Sequence, residues 1–134
     1  MPGIAECVLV VDDDLAVRES LRFALEMEGL TVRTYGGGAE LLADPDLASC
    51  GCLVIDCNMP GMNGIELVER LEERHQHCPV ILITSGSARG VAECGVHPDI
   101  MEVLEKPLED DALLDHIRAA LAAARTRTRP RGNP

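Results

Sequence analysis

The chain is expected to fold as an α/β domain, a five-stranded parallel sheet doubly wound by helices on both faces. Three observations carry that expectation. Apolar runs at Val8-Leu9-Val10-Val11 and Leu53-Val54-Ile55 end in Asp12-Asp13-Asp14 and Asp56, and a later β-like run ends in Glu105-Lys106-Pro107. The segments between the runs place apolar residues at helical spacing. Strands buried on both faces read as near-continuous apolar stretches, and open sheets of this kind place their chemistry at the carboxyl ends of the strands.

Residues 6 to 11 read as the first strand, and Asp13 or Asp14 can cap the helix that follows. In that helix Val17, Leu21, Ala24 and Leu25 share one face, while Arg18, Glu19, Arg22 and Glu26 share the other. Gly29 supplies the stop. Thr31 to Tyr35 forms a short β-branched strand, Gly36-Gly37-Gly38 a turn, and Ala39 to Ala43 a short helix. Cys52 to Asp56 is the third strand, and the turn residues Pro60-Gly61-Met62-Asn63-Gly64 force a sharp reversal just beyond it. A helix from Ile65 to about His75 turns Leu67, Val68 and Leu71 inward. Val80 to Thr84 and about Glu102 to Glu105 are the fourth and fifth strands, and a last helix from about Glu109 to Ala124 buries Leu113, Leu114, Ile117 and Leu121. Between Thr84 and Lys106, Gly86, Gly90, Gly95 and Pro98 weaken the remaining helix, each internal glycine costing about 1 kcal/mol. Residues 1–124 are expected to form the domain, with 125–134 a basic, flexible tail or linker.

With 134 residues the chain is long enough for one domain with a real core. Phe23 and Tyr35 are its only aromatics, so the core is packed from Leu, Val, Ile, Ala and Met, and aromatic stacking on bases is excluded. Asp and Glu number 23 against 12 Lys and Arg, and four of the twelve, Arg125, Arg127, Arg129 and Arg131, lie in the tail. So acidic a body repels a phosphate backbone and an anionic membrane surface, which excludes direct nucleic-acid binding by the body. No run approaches the roughly 20 apolar residues of a membrane span, and the start lacks a basic leader, so a cytoplasmic location is expected. The spacing Cys50-x-Cys52-x4-Cys57 is not that of a zinc ribbon, and the six cysteines are expected to be reduced, with Cys57 notable for adjoining Asp56.

In such a sheet the first and third strands end side by side, which brings Asp12, Asp13 and Asp56 together. Two carboxylates about 4 Å apart repel by about 4 kcal/mol at an effective dielectric near 20. Three therefore need a counter-charge. Hard oxygen ligands with no histidine or cysteine among them favour Mg²⁺, or Mn²⁺ in its place. Lys106, the only lysine in the chain, ends the fifth strand, and Thr84 ends the fourth. A metal-bound carboxylate facing an ammonium and a hydroxyl can accept a phosphoryl group: Asp56 attacks in line, and Lys106 and Thr84 take up the remaining charge.

The motifs VLVVDDD at 8–14, LVIDCNMPGMNGIEL at 53–67, ILITSG at 81–86 and EKP at 105–107 resemble the response-regulator receiver domains of two-component signalling. The likeness spans about residues 6 to 124. It implies a flavodoxin-like (βα)5 fold with strand order 2-1-3-4-5, in which Asp56 is the phosphoacceptor. It further implies that Asp13 is a direct Mg²⁺ ligand, Asp12 a water-mediated one, and Asn58 a ligand through its backbone carbonyl. Thr84 becomes the switch hydroxyl and Lys106 the phosphate-binding lysine. The implied partners are a sensor histidine kinase or histidine phosphotransfer protein as donor, and an output domain or partner protein, of transcriptional kind, as target. A phosphorylation-dependent dimer is also compatible with the family. The resemblance implies no enzyme beyond the domain's own phosphorylation and dephosphorylation.

Val103 departs from the pattern, since the family usually carries Phe or Tyr three residues before the lysine. With that ring missing, phosphorylation is expected instead to order the segment 85–101. The main alternative is a receiver-like interaction module not controlled by phosphorylation. A hydrolase acting on an external substrate would need a second acid or base just after Asp56, and Cys57-Asn58-Met59 offers none. Nucleotide binding lacks a Gly-x-Gly-x-x-Gly or Walker pattern.

Overall fold

A computed structural model describes residues 7–44, 51–59, 61–84, 97–106 and 110–128. Its elements in chain order are β1 (Cys7–Val11), α1 (Leu15–Met27), β2 (Thr31–Tyr35), α2 (Gly38–Leu42), β3 (Cys52–Asp56), α3 (Gly64–Glu73), β4 (Val80–Thr84), β5 (Ile100–Glu105) and α4 (Asp110–Thr128). The strands form one sheet in the order β2-β1-β3-β4-β5, and every pairing is parallel. The expected fold class and strand order are both met.

β1, β3 and β4 are buried along their whole length because helices cover both faces. Alternate residues divide between two cores. On one face Leu9, Val11, Leu53, Ile55 and Leu82 pack with Leu41 of α2 and Leu67, Val68 and Leu71 of α3. On the other, Val8, Val10, Val54, Ile81 and Ile83 pack with Leu25 of α1 and Leu113, Ile117, Ala120 and Leu121 of α4. At about 25 cal/mol per Å² of apolar surface, these two layers supply the main favourable term holding the sheet in register.

The helix starts follow from local chemistry. Asp14 caps α1, its carboxylate accepting from the N–H groups of Ala16 and Val17 at 2.9 and 3.3 Å. Asn63 and Glu66 form a reciprocal capping box that starts α3. At the first residue of α3, a Cβ on Gly64 would lie 3.0 Å from the Cys57 Cα and 3.2 Å from Leu82 Cδ2. Glycine there lets the helix start close over the end of β3, with the Gly64 N–H donating to the Cys57 carbonyl at 3.1 Å.

Several expectations are corrected. Gly38 belongs to α2 rather than to a turn, and β5 begins at Ile100. The last helix runs to Thr128, into the segment expected to be a flexible tail. Ala and Arg are good helix formers, so intrinsic propensity favours carrying an already nucleated helix past Ala124, and Pro130 is the first strong breaker in the sequence. Ala24 is exposed rather than inward. The lone Phe23 is 68% exposed, together with Leu15 and Met27 on the same helix. Cys7 and Cys52 are free thiols and buried, as expected, and Cys78 is buried too. Cys57 is disulfide-bonded, which overturns the expectation of a reduced thiol there. Spacing could not show this, because disulfide pairing depends on which backbones meet in space. The weakened helix expected between Thr84 and Lys106, and most of the segment expected to order on phosphorylation, lie outside the described residues, as do Cys50 and Cys94.

Candidate functional site

Parallel register brings the strand ends to one rim. Val11 pairs with Ile55, Asp56 with Ile83, and Thr84 with Glu105, so Asp12, Asp56, Thr84 and Lys106 emerge from four strands within about one residue of the same level. The ladder continues a step past the strands: the Cys57 N–H donates to the Ile83 carbonyl at 2.7 Å, and the Lys106 N–H to the Thr84 carbonyl at 2.8 Å. These bonds hold the backbone that carries the site.

One oxygen from each of Asp12, Asp13 and Asp56 lies within 4.8 Å of the others. Asp12 and Asp56 are buried, 1% and 4% exposed, while Asp13 is exposed. Asp12 Oδ1 accepts from the Asp14 N–H at 2.8 Å, and Asp56 Oδ1 accepts from the Asn58 N–H at 3.0 Å. Asp12 Oδ2 is buried and accepts no hydrogen bond among the described residues. Lys106 Nζ stands 3.5 Å from Asp56 Oδ2. Thr84 is buried at 1% exposure beside them. Asp12, Asp13, Asp56, Thr84 and Lys106 are thus gathered at one mouth, and the exposed Asn58 adjoins them through its N–H to Asp56.

Burial raises the pKa of the Asp12 carboxyl above 3.8; the Asp56 and Asp13 charges add to the rise, and the Asp14 N–H and Lys106 oppose it. The arrangement fits a hard divalent cation: all-oxygen donors, a buried carboxylate oxygen with no other partner, and crowded negative charge. The sign of the linkage gives a prediction. A carboxyl with a raised folded-state pKa contributes stability that is fully present below pH 3.8 and is lost as pH rises through the raised value. Without a divalent cation, the Asp12→Asn variant should lose less stability than wild type on going from acid to neutral pH, and adding Mg²⁺ should stabilise wild type much more than the variant. Thermal melts across pH with and without Mg²⁺ check both.

Sequence reasoning missed Arg18. It was placed on the outward face of α1, yet its Nη1 donates to the Asp12 carbonyl at 2.8 Å. The available signal was its position one turn inside the helix that the acidic loop caps, where a long side chain can reach back over the loop.

The five-stranded parallel sheet thus gathers three clustered carboxylates and a lysine at its carboxyl rim. Residues 8–118 match the family model described as response regulator receiver domain, and the chain belongs to that family. It is 36% identical over 118 residues to the C4-dicarboxylate transport transcriptional regulatory protein DctR of Rhodobacter capsulatus, covering 87% of this chain and 60% of that protein. It is 40% identical over 114 residues to the transcriptional regulatory protein FixJ of Azorhizobium caulinodans, covering 85% of this chain and 54% of that protein. The chain therefore spans little more than half the length of these relatives. Among solved structures, the response regulator protein TrrA of Thermotoga maritima, in complex with Mg²⁺ and BeF, superposes with a TM-score of 0.74 at 25% identity, covering 86% of this chain and 98% of that one. The chain is a receiver domain related to those of transcriptional response regulators. No helix among the described residues is long and apolar enough to cross a membrane.

Proposed function

We propose that the domain takes a phosphoryl group onto Asp56 from the phosphohistidine of a sensor histidine kinase or histidine phosphotransfer protein, in a Mg²⁺-dependent reaction in the cytoplasm. The observation that carries the reading is the meeting of three carboxylates within 4.8 Å with Lys106 Nζ 3.5 Å from Asp56. An Asp56 carboxylate oxygen forms the new O–P bond as the N–P bond of the donor breaks, and the electron pair of that bond stays with the imidazole nitrogen, which takes up a proton. Asp12, Asp13 and Asp56, with the Asn58 carbonyl, would hold Mg²⁺, or Mn²⁺ in its place. That cation supplies positive charge against the carboxylates and the transferred oxygens. Lys106 follows the phosphoryl charge by its ammonium, and Thr84 offers a hydroxyl at the same rim.

Phosphorylation then switches an output domain or partner of transcriptional kind, in line with the relatives, and a phosphorylation-dependent dimer is compatible with this. The receiver domain covers residues 1–124, and its last helix carries on to Thr128 into the basic segment 125–134, a tail or linker. The exposed Leu15, Phe23 and Met27 on α1 support a docking role for that helix, since Leu15 directly follows the acidic loop and a donor must approach the same mouth. Intact-mass measurement after incubation with a small phosphodonor tests the reading. It predicts one phosphoryl adduct per chain with Mg²⁺, and none with EDTA. Val103 favours a second reading, an interaction module not controlled by phosphorylation, because no aromatic stands there to report the modification. Partner binding that is equal with and without the adduct would select it.

A further inference from the structure

Arg18 lies outside the carboxylate cluster but is tied to its backbone. Its Nη1 donates to the Asp12 carbonyl at 2.8 Å, while the Asp12 N–H donates to the Tyr35 carbonyl of β2 at 3.1 Å. Both main-chain groups of Asp12 are therefore held, one by the neighbouring strand and one by α1. The guanidinium is itself confined: a Cβ on Gly36 would lie 3.3 Å from Arg18 Nη1 and 3.1 Å from Glu40 Oε2. Glu40 Oε1 in turn accepts from the Gly36 N–H at 2.9 Å, fixing the loop on the far side.

We propose that Arg18 is a positioning residue for the divalent-cation site: by clamping the Asp12 carbonyl between α1 and the Gly36 loop, it sets where the Asp12 and Asp13 carboxylates stand. The physical reason lies in charge. Carboxylates that repel one another relax apart whenever their backbone permits, and a cation binds tightly only where they are held close beforehand. The planar, forked guanidinium can hold a carbonyl while lying against the Gly36 loop, which a lysine ammonium does with less reach and less orientation.

The inference rests on the cation-binding reading above, and cation affinity can be read without any phosphorylation. Mn²⁺ binding followed by electron paramagnetic resonance on the full chain should show dissociation constants raised roughly tenfold in Arg18→Met, with partial recovery in Arg18→Lys. Gly36→Ala, which leaves Arg18 in place but crowds its Nη1, should weaken binding in the same direction. In phosphorylation assays the Mg²⁺ concentration for half-maximal rate should rise, with the rate at saturating Mg²⁺ largely restored. A structural role alone would not give that split. Mn²⁺ affinity equal to wild type in folded Arg18→Met overturns the proposal. If that variant fails to fold, unchanged affinity in Gly36→Ala and Arg18→Lys overturns it equally. If wild type itself binds no Mn²⁺, the cation-site reading fails, and the outcome is recognised by that result alone.

Discussion

Asp56→Asn is expected to abolish formation of the phosphoryl adduct while leaving the domain folded. An amide is no nucleophile at neutral pH, and the change keeps the side chain's shape, so the Asn58 N–H that now donates to Asp56 Oδ1 at 3.0 Å keeps an acceptor. The electrostatic consequences are unequal. Lys106 loses its partner at 3.5 Å, but its side chain is one-third exposed, and such a contact is worth under about 1 kcal/mol. Asp12, buried at the same rim, is relieved of a neighbouring negative charge that raises its pKa. The metal-free variant should therefore melt at or above the wild-type temperature, and its affinity for Mg²⁺ should fall because one of three clustered carboxylates has become neutral. Intact mass in Mg²⁺ with a small phosphodonor reads the first effect. An adduct on the variant at the wild-type level would place the acceptor elsewhere.

Leu82→Ala should produce the largest loss of stability. Leu82 is fully buried in the interior strand β4, in the core that also holds Leu53, Ile55 and Leu67, and its Cδ2 lies 3.2 Å from the Cβ position of Gly64. Removing its branched end leaves a cavity beneath the start of α3 that the sheet cannot close without losing register. Substitutions of this type cost about 3–5 kcal/mol, a large part of the roughly 5–15 kcal/mol that holds a domain together. The cost should appear as a lower urea midpoint at unchanged slope. The chain has no tryptophan, so far-UV circular dichroism is the suitable probe. Phe23→Ser is the internal contrast: with the ring 68% exposed, the change should move stability by under about 0.5 kcal/mol.

The sheet was legible because β1, β3 and β4 are apolar on both faces and because β1 and β3 run out into carboxylates. Val8 to Val11 and Leu53 to Ile55 needed no tertiary knowledge to be read as buried strands, and adjacency of the first and third strand ends follows from the topology that parallel connections allow. Helix spacing was legible in α3, where Leu67, Val68 and Leu71 face the core as expected. In α1 it was only partly so: Leu25 is buried, yet Ala24 and Phe23 are exposed, because the sheet covers a narrower stripe of that helix than its apolar residues could fill. Arg18 was misread for a related reason. A charged residue opposite an apolar stripe looks solvated, and only coordinates show that its long stem returns the guanidinium to the Asp12 carbonyl. The reach of α4 to Thr128 escaped because apolar periodicity measures burial, whereas a nucleated helix extends on propensity alone.

Asp12, Asp13 and Asp56 are held to form, with Lys106, one pocket for a divalent cation and a phosphoryl group. Crystals grown with Mn²⁺ and beryllium fluoride test this most directly, since the fluoride adduct imitates a phosphoryl group and manganese can be located by its anomalous scattering. The account predicts manganese bound by carboxylate oxygens of Asp13 and Asp56, near Asp12, with beryllium joined to an Asp56 oxygen and a fluoride within reach of Lys106 Nζ. Manganese located away from these three carboxylates, or a fluoride adduct on any other side chain, would contradict it.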